Sequence, residues 1–277
     1  MIENILTIDC EDWYHTRTAQ KYLSGKKGVF AEGRISSNVR TLLDLFGSFG
    51  ARGTFFVLGE VVEKFPELVM RIDKTGHRIG AHGYKHVDVF SMDKQEFESD
   101  VSKVTGFINS LVSRPVESFR APNWSINNDC LWALEILKKY DYKYDSSSPK
   151  MLSLLKNTKG DQIIEIPRSG AQFFRLTIPL GGAFLRVYPF GLMMRLMKKI
   201  NQDGFPFMLY IHPWEIDAGL PLIRTSRIDR VIQYYGIKQN LEKIRRILDA
   251  FKFIPVEDFF EKNEVDKNLL NTFYQLG

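Results

Sequence analysis

The sequence predicts an α/β fold, a single domain in which parallel strands are wrapped by helices as a (β/α) barrel. Three observations lead there. Short β-rich runs alternate with longer helical patterns, the order that parallel sheets require. Most of those runs end on a polar or charged residue, where such barrels keep their chemistry. The chain has 277 residues, 44% hydrophobic and 26% charged, enough apolar material for one large core. No repeat or low-complexity linker marks an internal boundary. The domain is therefore expected over residues 1–265, and a polar, aperiodic tail over 266–277.

Taken in order, the strands are expected at Asn4–Asp9, Gly53–Leu58, Arg78–His82, Glu117–Arg120, Tyr142–Asp145, Gln162–Ile166 and Phe207–His212. Apolar residues at three-and-four spacing predict helices over Ser36–Phe49, Glu60–Lys74, Asp93–Val112, Asn127–Tyr140 and Lys238–Ala250. Ser36 or Ser37 and Asn127 are natural N-caps. Gly76 stands where a left-handed residue would close the second helix.

Composition narrows the function classes. The 38 basic and 33 acidic residues leave a charge of +5. The basic side chains are scattered, with short clusters at Lys198-Lys199 and Arg245-Arg246, so no nucleic-acid footprint is expected. Cys10 and Cys130 form no CxxC pair and read as buried thiols of a reducing compartment. The acidic start MIENILTIDCEDWYH has no signal-peptide pattern, and a cytoplasmic protein is expected. Arg186 and Arg195 interrupt the apolar stretch Leu176–Leu196. It is too short of uninterrupted apolar residues to span a bilayer, but would serve as an amphipathic surface helix.

Polar clusters gather at the predicted strand ends: Asp9/Glu11/Asp12, His82/His86, Arg120-Ala121-Pro122, Asp145-Ser146-Ser147 and His212-Pro213-Trp214-Glu215. An HxxxH pair sets two imidazoles within reach of one ion, and with a carboxylate they form a common catalytic zinc set. Three crowded carboxylates after an apolar strand repel one another unless a cation joins them.

In order and type these five motifs resemble the metal-dependent polysaccharide deacetylases, the NodB homology domain of carbohydrate esterase family 4. The TIDxEDWYH opening, FRAPxxS, YDSS, the Gly181–Pro189 segment and HPWEID are similar to the branch associated with exopolysaccharide and exosortase loci. The resemblance covers roughly residues 4–260. It implies a distorted (β/α)7-type barrel and hydrolysis of an N-acetyl group on an amino sugar.

Residue by residue, the resemblance makes Asp9 the base for metal-bound water and His82 and His86 metal ligands. The third ligand is a carboxylate just after the base. Strand alternation places Glu11 on the side of Asp9, whereas Asp12 reaches the ion if the chain turns sharply after Cys10, so both stay candidates. Arg120 orients Asp9, and His212 protonates the leaving amine with Asp145 holding its imidazole. Pro122 fixes the following turn, where a backbone N–H of Asn123-Trp124 is a candidate oxyanion donor. Trp124 and Tyr14 are candidates for the sugar-binding wall, with Trp13, Phe184 and Tyr188 beside them.

The implied cofactor is a divalent metal, best suited to Zn2+, with Co2+, Ni2+, Fe2+ or Mn2+ able to take the same ligands. The implied partner is an N-acetylated saccharide of an exported polysaccharide or its precursor, lipid-linked or nucleotide-linked, with peripheral contact at the inner membrane surface. Two alternatives share the scaffold. One is an O-acetyl esterase or cyclic-amide hydrolase, and the other a silent saccharide-binding module.

Overall fold

The computed structural model describes residues 2–23, 33–148, 163–173 and 176–263. The expected tail at 266–277 and the start of the sixth predicted strand at Gln162 lie outside them. In chain order the elements are β1 Glu3–Cys10, α1 Arg17–Leu23, α2 Ile35–Phe49, β2 Thr54–Val57, α3 Gly59–Lys64, α4 Pro66–Lys74, β3 Arg78–Ala81 and α5 Lys94–Asn109. There follow β4 Ser118–Phe119, α6 Trp132–Lys139, β5 Tyr144–Asp145, β6 Ile164–Glu165, β7 Gly170–Phe173, β8 Leu176–Pro179, α7 Gly182–Val187 and α8 Phe190–Gln202. The chain closes with β9 Met208–Ile211, α9 Arg227–Tyr234, α10 Ile237–Ala250, β10 Lys252–Ile254 and α11 Val256–Lys262.

The main sheet is parallel throughout, running β6-β5-β4-β3-β2-β1, with β9 and β10 also paired to β1. This is the expected distorted barrel, a curved parallel sheet jacketed by helices. β1 is its axis: after Glu3 every residue of the strand is buried, which requires partners on both edges and packing on both faces. Helices α2, α4, α5, α6, α8 and α10 lay their apolar stripes on the outside of the sheet, where Phe46, Phe55, Phe97, Phe119 and Leu42 share one core. At the strand starts, Glu257 from α11 accepts hydrogen bonds from Thr54 and Ser118 and closes that end of the barrel.

Several expectations need correction. The helix expected over Glu60–Lys74 is two, because Pro66 forces Phe65 out of helical geometry (φ −136°, ψ 58°). Neither Ser36 nor Ser37 caps α2, which starts at Ile35 without a cap of its own. Its free amides are met from a distance by Asp12. Asn127 does cap, accepting from the Asp129 amide, and Gly76 is left-handed at φ 83°.

The Leu176–Leu196 stretch is not one surface helix. Its first part is β8, antiparallel to β7, and Gly181 and Gly182 then turn the chain against Tyr210. A Cβ on Gly181 would lie 2.2 Å from the Tyr210 carbonyl oxygen, and its φ is 149°, so only glycine fits there. The apolar face of α8, with Met193, Leu196, Met197 and Ile200, is buried in the core rather than free for a membrane. Among the described residues no helix is long and apolar enough to cross a membrane.

Candidate active site

The ends of β1, β3, β4 and β9 converge at one mouth of the barrel, and each delivers a polar group that the sequence pointed to. β1 ends on Asp9 and Cys10 and runs directly into Glu11. His82 follows β3, Arg120 follows β4 and His212 follows β9. All of these side chains are buried or nearly so, in a region where an unpaired charge would be costly.

Asp9 and Arg120 form the base of the site. An Arg120 terminal nitrogen donates to Asp9 Oδ1 at 2.6 Å and to Thr7 Oγ1 at 3.0 Å; the other terminal nitrogen donates to Ser146 Oγ at 3.0 Å. Phe56 covers one face of the guanidinium at 4.3 Å and Trp124 stands 5.3 Å away. A planar cation held this way fixes the position of the Asp9 carboxylate.

Above them stand Glu11, His82 and His86, whose ligating atoms all lie within 4.8 Å of one another. It is the one such group of His, Cys, Asp and Glu among the described residues. The donor chemistry fits a divalent ion. His82 Nδ1 lies 2.7 Å from the Arg120 carbonyl oxygen, which assigns the ring proton to Nδ1 and leaves the Nε2 lone pair free. Burial, partly offset by Asp9, lowers the His82 pKa to about 4, so the ring is neutral at pH 7.

His86 Nε2 and Glu11 Oε2 are 2.6 Å apart. Burial alone would raise the Glu11 carboxyl, but His86, His212 and His82 outweigh it and hold Glu11 well below the usual carboxylate range. Burial lowers His86 in turn, and Glu11 more than reverses that. The two thus form a close buried pair whose lone pairs a bound cation would take up.

The third-ligand alternatives separate by geometry. Asp12 is not part of the group. The chain turns after Glu11 so that Asp12 Oδ1 accepts from the Trp13 amide at 2.8 Å, while Oδ2 accepts from Arg34 at 2.7 Å and Ile35 at 3.1 Å. Its carboxylate is the missing cap of α2. His15 completes the turn, its Nδ1 accepting from the Asp12 amide at 2.9 Å, with Nε2 3.8 Å from Glu60.

His212 points its Nε2 at both carboxylates, 3.8 Å from Asp9 and 3.7 Å from Glu11. Its Nδ1 lies 3.0 Å from Glu215 Oε2, not near Asp145. Glu215 Oε1 accepts from Arg186 Nε at 2.9 Å, and the rest of that buried guanidinium donates to the carbonyls of Tyr235 and Ile232, each at 2.8 Å. Burial lowers the His212 pKa, but Glu215 and then Glu11 and Asp9 outweigh it and raise it to about 9. Glu215, not the expected Asp145, thereby holds the His212 imidazole. Glu215 is the residue that sequence reasoning left without a role. Its signal was there, an acid three positions after His212 in a turn that begins with Pro213.

Asp145 sits instead with Glu165 from the adjacent β6 and accepts from Ser147, whose hydroxyl also takes the Ala121 amide at 2.7 Å. It supports the Arg120-Ala121-Pro122 turn from below. Burial raises both carboxyls, Glu165 well above its ordinary value because Asp145 adds to the effect. Asp145 Oδ2 and Glu165 Oε2 have no hydrogen-bond partner among the described residues, a need that one proton shared between the two carboxyls would meet.

A raised folded pKa means that stability is full below the unfolded value and is lost as pH climbs. Glu165→Gln imitates the protonated state permanently. It is expected to stabilise the protein by about 1–2 kcal/mol at pH 8 and by much less at pH 5. Denaturant melts at both pH values check this, and a variant less stable at both would sink the shared-proton account.

The sugar-wall candidates are partly placed. Pro122 is buried at the start of a short 3-10 turn in which Asn123 and Trp124 have φ of 57° and 52°. The Trp124 amide donates to the Ala121 carbonyl at 3.1 Å, so that amide is not available to an oxyanion. The Trp124 ring stands edge-on to Tyr210 at 4.9 Å and under Arg168 at 4.8 Å, half-buried beside the site. Tyr14 leans on His15 at 4.4 Å and packs partly against the cluster of Trp13 and Trp214. Trp214 donates its indole N–H to Glu11 Oε1 at 3.2 Å. Both cysteines are buried and free.

A parallel barrel thus gathers an arginine-paired carboxylate, a His-His-Glu group and a carboxylate-paired imidazole at its strand ends. Residues 28–145 match the polysaccharide deacetylase family model, and residues 141–261 match a domain of unknown function, DUF3473. Residues 28–145 are thus similar to polysaccharide deacetylases, the family that the motifs resemble.

A peptidoglycan-N-acetylglucosamine deacetylase from Bacillus cereus is 35% identical over 95 residues, 34% of this chain and 34% of that protein. A peptidoglycan deacetylase from Helicobacter pylori is 32% identical over 121 residues, 44% of this chain and 39% of that one. The matched region thus spans little more than a third of these relatives.

Among solved structures, a peptidoglycan N-acetylglucosamine deacetylase aligns with a TM-score of 0.54 at 18% identity, over 94% of this chain and 88% of the other. A pseudoenzyme of carbohydrate esterase family 4 from Bacillus anthracis aligns at 0.51 and 12% identity, over 92% and 64%. At these identities the likeness is one of fold, and activity has to be argued from the site.

Proposed function

We propose that this protein removes an N-acetyl group from an amino sugar of a cell-surface or exported polysaccharide, or of its precursor, in a metal-dependent hydrolysis. The observation that carries the reading is the convergence of Asp9, the Glu11–His82–His86 group and His212 within one buried cluster. Relatives described as peptidoglycan deacetylases support the substrate class. The exopolysaccharide branch rests on the motif resemblance.

Glu11, His82 and His86 would hold the divalent ion. When bound, the ion acts as a Lewis acid on the acetyl carbonyl and lowers the pKa of water. Asp9, kept in place by Arg120, accepts the proton of the attacking water. His212, charged at neutral pH, donates a proton to the departing nitrogen, and acetate and the free amine leave. Arg120, Glu215 and Arg186 position these groups without touching substrate.

The site also speaks against a silent binding module, which would need no base paired to an arginine beside a charged imidazole. The test is acetate release from N-acetylglucosamine oligomers by metal-loaded protein. Chelation is expected to abolish turnover, with zinc or cobalt restoring it and the fold largely retained, since three side chains tether little of so large a domain. Acetate from O-acetylated sugars alone would move the reading to an esterase. Substrate binding without any acetate would leave a silent module.

A further inference from the structure

We infer that α9 is a membrane-docking element that seats the domain on a bilayer surface carrying anionic headgroups. The helix is built inside out. Two of its polar residues face the domain: Gln233, 1% exposed, accepts from Thr16 Oγ1 at 3.0 Å, and Asp229 accepts from Lys21 at 3.0 Å and Tyr22 at 2.6 Å. Its apolar residues face away: Ile228 is 74% exposed, Val231 50%, Ile232 47% and the following Tyr235 54%. These recur at the three-and-four spacing of one helical face. Scattered exposed apolar residues are ordinary, but a helical stripe left outward while Gln233 and Asp229 turn inward marks an interaction surface.

Charge selects the occupant. Between residues 218 and 241 the chain carries Arg224, Arg227, Arg230 and Lys238 against one acid, Asp229, which α1 already holds. All four cations are exposed, and among the described residues none forms an ion pair. Self-pairing across a two-fold axis would bring these cations together, whereas an anionic headgroup plane attracts them while its acyl boundary takes the apolar stripe. The carbonyls of Ile232 and Tyr235 are the ones that hold Arg186, so the docking helix is tied to the element that carries Glu215 and His212. A lipid-borne substrate would meet the site beside its anchor.

The test is vesicle co-sedimentation of the full chain with phosphatidylcholine vesicles carrying a quarter phosphatidylglycerol, against phosphatidylcholine alone. Wild type is expected to bind the anionic vesicles in low salt. Ile228→Ser with Val231→Ser, and separately Arg227→Gln with Arg230→Gln, should each weaken binding about tenfold or more. Added salt should release the protein. All these side chains are exposed, so unchanged melting temperatures show that the variants fold. Vesicle binding is read without turnover, so it stands or falls apart from the deacetylase reading. Wild type that ignores anionic vesicles, or variants that bind as well as wild type, would overturn the inference. So would a wild-type dimer in sedimentation velocity that Ile228→Ser with Val231→Ser dissolves, because the stripe would then be a self-interface.

Discussion

Glu11→Ala is expected to take bound metal from about one ion per chain to nearly none, with affinity falling at least ~100-fold and acetate release falling with it. Asp12→Ala is expected to keep the metal. The adjacent acids make this contrast sharp, because they differ in surroundings rather than in type. Glu11 lies within 4.8 Å of both imidazole donors and is held ionised by them. Asp12 is enclosed by the amides of Trp13, Arg34 and Ile35, and every lone pair it uses is committed to backbone. Removing it strands the start of α2 and should cost about 2 kcal/mol, seen as a lower melting temperature with metal content intact. Metal analysis by mass spectrometry on both variants decides the point. If Asp12→Ala empties the site while Glu11→Ala does not, the ligand set drawn from the geometry is wrong.

That contrast shows what the sequence could and could not supply. Strand alternation put Glu11 beside Asp9, and in the fold it is Glu11 that stands with His82 and His86. What kept Asp12 open was a turn whose reason lies 22 residues downstream, at the uncapped N-terminus of α2. Caps are legible when they are local, as at Asn127, and invisible when another segment provides them.

The same limit explains Asp145. A motif order places it in the site, yet which carboxylate faces His212 depends on how the mouth of the barrel closes, and Glu215 gets there first through a turn only three residues long. Glu165, the other half of the Asp145 pair, follows a stretch outside the described residues, and no local spacing links the two. Seven of the eight parallel strands were readable because most are short, apolar and ended by a polar residue; β10, only three residues at Lys252–Ile254, was missed. The β7–β8 pair and the halves of α3–α4 were not, since glycine and proline positions there outweighed apolar period.

The site is also spread over parts of the chain that similarity treats separately. Asp9 and Glu11 precede the residues matched to the deacetylase model; His82, His86 and Arg120 lie within them; His212 and Glu215 fall within the second matched region. Only the barrel brings these three segments to one place. The proposal that the second region supplies the acid is therefore open to a direct test through its least expected member.

Glu215→Gln is expected to move the alkaline limb of the pH–rate profile from near 9 down by about 2 units or more, and to cost roughly tenfold or more in rate at pH 8. Burial pulls the His212 pKa down, and Glu215 is the first of the carboxylates that reverse this. Without its charge the imidazole falls toward or below its ordinary value and is mostly neutral at pH 8, so it has no proton to give. The loss should shrink as pH drops toward 6.

The variant will also be less stable, because Arg186, 1% exposed, keeps its carbonyl partners but loses its counter-charge. Stability and catalysis separate by shape. A merely structural Glu215 would lower the rate by the same factor at every pH and leave the limb where it was. The linkage has its own sign: the folded pKa of His212 is raised, so its contribution to stability is full below the unfolded value and lost as pH rises through about 9. Wild type should therefore lose melting temperature between pH 7 and pH 10, and Glu215→Gln should lose less of it. An equal loss in both would assign the alkaline weakening to other groups, and with it would go the claim that Glu215 keeps His212 charged.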